Sequence, residues 1–83
     1  MWNIIEYNQI ARGERVRLFT ACGMFEGTYR GSEEVNDEQW VILTDAFLSP
    51  CRPDVPKAER FQMEEVNLHL DQIIAVDVAG EVE

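Results

Sequence analysis

From Arg15 onward the chain alternates with a period of two, and this alternation constrains the fold more than any other feature. Val16, Leu18 and Thr20 fall on one face, with Arg15, Arg17 and Phe19 on the other. Residues two apart share a face of a β-strand, so this segment is a half-buried strand. "ACG" turns the chain, and "MFEGTYRG" follows as a second strand. Its Gly27 and Gly31 lack side chains, which permits a sharp bend of the sheet. "GSEEVNDE" reads as a polar loop and "QWVILTDAFL" as a third strand, in which Val41, Ile42, Leu43 and Thr44 supply strand-favouring side chains. Residues 49–60, "SPCRPDVPKAER", form a connector whose prolines do not suit a central strand. "MEEVNLHL" then alternates through Val66, Leu68 and Leu70, Asp71 and Gln72 make a short turn, and "IIAVDV" closes the series as a fifth strand.

The segment before Arg15 has a different period. Asn3 and Glu6 have the spacing of a capping box, and Trp2 and Tyr7 stand at the positions of a hydrophobic staple. Ile4, Ile5 and Ala11 share an apolar stripe with Ile10 nearby, and Gly13 suits the left-handed conformation that ends a helix. The pattern predicts a helix over about residues 4–12. The expected fold is mostly β: this N-terminal α-helix, then a five-stranded, strongly bent antiparallel small barrel over about residues 15–79, all in one domain spanning 1–83.

A single domain of 83 residues buries a smaller share of its surface than a larger one, so its core needs help. Two cysteines, Cys22 and Cys51, and one histidine, His69, make neither a disulfide framework nor a metal-ligand spacing, which leaves self-association as the favoured aid. The N-terminal "MWNIIEYNQI" has no basic lead or signal-type apolar region, and no run is long enough for a membrane span. A cytoplasmic protein with free thiols is expected. Sixteen acids against seven bases give a formal charge of −9, which repels nucleic acid at long range. Arg12, Arg15 and Arg17 nevertheless cluster in "RGERVR". The acids Glu33, Glu34, Asp37 and Glu38 lack the glycine and ligand periodicity of a calcium loop and read as a solvated stretch. No nucleophile–base set or phosphate-cradling glycine loop is present, so no enzyme, metal or cofactor is expected.

This order of elements resembles the Sm-like (LSm/Hfq) family over about residues 8–78. "QWVIL" is similar to the Gln-Phe-Val-Ile-Leu run of Hfq, and "RGERV", Arg12 to Val16, resembles its Arg-Arg-Glu-Arg-Val segment. "VRLFTACGMFEGTYRG" resembles the first half of the first Sm motif, with Gly27 at the bent-strand glycine, and "VILTDA" resembles the end of that motif. The resemblance implies a homo-oligomeric ring of about five to seven subunits, in which the fourth strand of one copy pairs with the fifth of the next.

The same resemblance nominates site residues. Trp40 falls where Hfq places a base-stacking phenylalanine, beside the polar Gln39; the alternative is that Trp40 caps the core. His69 and Leu70 stand where the family has a basic pair, and His69 reads better as a surface or interface residue. Arg12, Arg15 and Arg17 match the RNA-binding outer rim, or else pair with Glu14, Glu26 or a neighbouring subunit. Two functions follow. One is a ring binding single-stranded, U- or A-rich RNA as a chaperone or RNA-metabolism factor, which the family favours. The other is an acidic ring that has lost RNA binding and acts as a protein-interaction scaffold with another protein as partner.

Overall fold

A computed structural model describes residues 3–50 and 60–78. The helix α1 spans Ile4–Tyr7. Asn3 caps it, its side-chain oxygen accepting from the N–H groups of Ile5 at 2.8 Å and Glu6 at 3.2 Å. Trp2, half of the expected staple, lies outside the described residues. The helix is shorter than the 4–12 expected because the left-handed conformation that ends it falls on Gln9, φ 55°, ahead of Gly13. Gln9 N–H donates to the Glu6 carbonyl and Ile10 N–H to that of Ile5, closing the last turn and folding Ile10 back against the core beside Ile5. The Asn8 side chain adds a bond to the Ile4 carbonyl at 2.8 Å. Gly13, φ 95°, instead shapes the entry to the sheet, donating to the Tyr29 carbonyl at 2.7 Å.

Five strands follow: β1 Arg15–Thr20, β2 Gly23–Val35, β3 Glu38–Pro50, β4 Phe61–His69 and β5 Ala75–Val78, with a 3-10 turn at Leu70–Gln72 between the last two. They form one antiparallel sheet in the order β4-β3-β2-β1-β5. The sheet is open: β4 and β5 sit at opposite ends of that order and share no ladder, which corrects the expected closed barrel.

The supposed polar loop "GSEEVNDE" is a hairpin. Ser32 pairs with Val41, Glu33 with Trp40, Glu34 with Gln39 and Val35 with Glu38. Asn36 and Asp37, φ 54° and 65°, form the turn, and left-handed conformation at both central residues marks the type whose twist matches the strands. β3 is likewise longer than expected, reaching Pro50, where it pairs with Gly23 of β2 after its last pairing with β4 at Leu48. The missing proline N–H is tolerated at such a strand end. Of the expected connector 49–60, residues 51–59 lie outside those described. β5 begins later than "IIAVDV" implied, because Ile73 N–H closes the 3-10 turn onto Leu70 and only Ile74 N–H reaches the sheet, at the Phe19 carbonyl.

The long strands change course at irregularities between Glu26 and Thr28 and between Tyr29 and Gly31. In the first, Asp45, φ 49°, is the extra residue of β3, and a β-carbon on Gly27 would lie 2.9 Å from that of Ala46 and 3.0 Å from that of Leu43. Gly27 is therefore where two strands approach too closely for a side chain. One face of the sheet is the core: Val16, Leu18, Val41 and Leu43 are fully buried, and Ile5, Tyr29, Ala46, Leu68 and Ile73 complete it.

The cap also ties the helix to the sheet, since Asn3 Nδ2 donates to Gln39 Oε1 at 3.2 Å. Asn3→Ala removes both functions and is expected to cost about 1 kcal/mol, within the usual ~0.5–2 kcal/mol for a lost cap. Urea unfolding of the two proteins measures the difference.

Candidate functional site

Alternation along β3 decides where Trp40 lies. Val41 and Leu43 are buried in the core, so Trp40 and Ile42 belong to the opposite face. Trp40 is half-buried and is not a cap on the core. It stands directly across from His69 of β4, with ring centroids 4.9 Å apart and planes at 75°, an edge-on contact.

His69 ends β4 and caps the 3-10 turn: its Nδ1 accepts from the Asp71 N–H at 3.1 Å. A ring nitrogen that accepts carries no proton, so in the neutral imidazole the proton sits on Nε2, which lies 3.4 Å from Glu38 Oε1. Gln39, on the core-side face, is held by Asn3. An open pocket of about 580 Å³ lies between α1, the β2–β3 hairpin and the 3-10 turn. Gln39 and His69 line it together with the carboxylates of Glu6, Glu34, Asp37, Glu38 and Asp71. Among the described residues these acids are not grouped as ligands of a metal ion.

The arginines stand apart from this cluster. Arg15 and Arg17 lie on the face of β1 away from the core and share one carboxylate, Glu26, at 3.4 and 3.3 Å. Arg15 also donates to Thr28 Oγ1 at 3.2 Å, and Arg17 reaches Asp77 of β5 at 2.7 Å. The bonds to Asp77 and then Glu26 raise the Arg17 pKa above its ordinary value. The row Asp77–Arg17–Glu26 follows the strand register across β5, β1 and β2. Arg12 lies in the loop before β1, its guanidinium against the bare backbone of Gly31: a β-carbon there would fall 2.8 Å from Nε.

Comparison with protein-family models, curated proteins and solved structures finds no match.

Gln39, Trp40 and His69 thus meet at one end of β3 and β4, whereas Arg15 and Arg17 occupy β1 and Arg12 covers Gly31. Two features escaped sequence reasoning. The first is the convergence of carboxylates on the pocket, which follows from the hairpin and was signalled by the Asn36-Asp37 pair. The second is a pocket of about 350 Å³ bordered by Arg15, Phe47 and Arg60, in which the Arg60 guanidinium sits 4.5 Å over the Phe47 ring. No local sequence pattern links those residues. Cys22 is an exposed free thiol in the β1–β2 turn, and no helix among the described residues is long and apolar enough to cross a membrane.

Proposed function

We propose that this chain is a subunit of an Sm-like ring, joined by pairing β4 of one copy with β5 of the next, that serves as a protein-interaction scaffold and does not hold RNA. The acidic pocket carries this reading. Gln39 and His69, the residues that would contact a nucleotide, share its wall with five carboxylates. Two like unit charges 4 Å apart repel by about 1 kcal/mol in water and about 4 kcal/mol at an effective dielectric of 20. Stacking a base on Trp40 contributes roughly 1–3 kcal/mol. A single phosphate near two of the carboxylates offsets that gain. Arg15 and Arg17, the expected counterweight, already share Glu26, and Arg17 also holds Asp77.

The open sheet supports assembly. Among the described residues β4 and β5 each pair on one side only, and such edges invite a further strand. Ile74, Val78 and Phe61 are large apolar residues left exposed at or beside these edges. RNA binding by the same ring is the second reading, favoured by the meeting of Trp40 and His69 across β3 and β4. The scaffold performs no reaction and uses no cofactor.

Sedimentation velocity on the full chain tests the assembly. A ring of about five to seven copies is expected, and it forms more completely as salt rises because copies carrying −9 each repel one another. A monomer at every salt concentration overturns the ring.

A further inference from the structure

His69 is the single histidine of the chain, and among the described residues the charged groups that line its pocket with it are all acids. Glu38 of β3 faces its Nε2 at 3.4 Å, and Asp71 of the 3-10 turn lies 3.9 Å from Nδ1 through its carboxylate while donating its backbone N–H to that same nitrogen. Glu6 from α1, Glu34 from β2 and Asp37 from the hairpin turn line the same pocket. On its remaining side the imidazole meets the Trp40 ring. The nitrogen that caps the turn is therefore the one a proton would occupy.

We propose that His69 is a proton-operated latch on the Leu70–Gln72 turn. Unprotonated, Nδ1 offers its lone pair to the Asp71 N–H and the turn is capped. When a proton from solvent binds Nδ1, that nitrogen becomes a donor and the Asp71 N–H loses its acceptor. The imidazolium then bridges Glu38 and the Asp71 carboxylate, exchanging a cap for two charge-assisted contacts. The pocket lining becomes less negative by one charge, and an unpaired backbone donor appears at its edge. The turn is a direct lead into β5: Ile73 N–H bonds to Leu70 and Ile74 N–H to Phe19. Loosening the cap therefore acts on the start of an edge strand. The latch is a property of the single chain and stands whether or not copies assemble.

The test is a titration of the full chain between about pH 8 and pH 5, the range in which histidine charge changes, followed by ¹⁵N–¹H correlation spectra of backbone and imidazole. At the upper end Nδ1 should show the shift of an unprotonated nitrogen. As pH falls, the Asp71 amide should move with the same midpoint as the His69 ring, and its exchange protection should drop by about two- to thirtyfold, the factor of a typical lost cap. His69→Asn retains a capping oxygen and does not titrate in this range, so its Asp71 amide should stay still. An Asp71 amide that ignores the His69 titration in the unaltered chain overturns the latch, as does one that still moves in the Asn variant. The first of these outcomes is read without any substitution. Sedimentation of the same samples reads the ring separately, so a missing ring and a missing latch are distinguishable.

Discussion

Gly27→Val is expected to remove most of the stability of this domain. The first added atom would sit 2.9 Å from Ala46 Cβ and 3.0 Å from Leu43 Cβ, with the Thr44 carbonyl oxygen at 3.2 Å. These neighbours are the backbone and first side-chain atoms of β3, so no flexible side chain can swing aside. Overpacking a core costs roughly 1–3 kcal/mol, more where backbone must move, and the two further methyl groups of valine deepen the clash. A domain of this length has a total of only about 4–12 kcal/mol to lose. Gly27→Ala should fall between the two proteins. Urea midpoints measure both substitutions, with Leu18→Ala, expected to cost ~2–5 kcal/mol, as an internal scale. A Gly27→Val midpoint equal to that of the unaltered chain would show that the strands do not approach as described.

Ile74→Asp is expected to abolish assembly while leaving the subunit intact. Ile74 is 69% exposed, so its side chain contributes little to the core, and an exposed substitution typically changes stability by no more than about 0.5 kcal/mol. Its backbone N–H still reaches Phe19 whatever the side chain. In the proposed ring a carboxylate just before β5 would be buried against the next copy, without a partner, on top of the negative charge the chain already carries. Sedimentation should therefore show a monomer whose urea midpoint is nearly unchanged. Persistent rings in this variant would move the subunit contact away from β5.

Much of the sheet was legible because burial there is one-sided. The alternation of Val16 and Leu18 set β1 at Arg15–Thr20, and the aliphatic run after Trp40 located the buried part of β3. The β2–β3 hairpin was hidden by the same logic in reverse. Residues Ser32 to Val35 are exposed, so no alternation of polarity marks them, and only the Asn36-Asp37 turn betrays the pairing. The helix was overdrawn because Ile10 suits either a continued apolar stripe or the fold-back contact that ends a helix, and the sequence does not distinguish them. Closure of the sheet was illegible because it depends on whether β4 and β5 meet, which the pattern within each strand does not encode. For the candidate site, residue types were visible but neighbours were not. Glu6, Glu38 and Asp71 lie far apart in sequence and reach one pocket through strand register and the bond from the helix cap Asn3 to Gln39. The arginine cluster "RGERVR" looked like a basic edge, yet register brings Glu26 and Asp77 alongside Arg17.

In the proposed scaffold the acidic pocket keeps RNA off the half-buried Trp40–His69 pair. Titration of labelled oligo-U and oligo-A with the purified chain, at low and at physiological salt and with Trp40→Ala in parallel, tests it most directly. Neither oligomer is expected to bind at either salt concentration, and the two proteins should not differ. Tight binding that weakens steeply with salt and is reduced by Trp40→Ala would contradict it, and would establish the pairing of Trp40 and His69 as a nucleotide site.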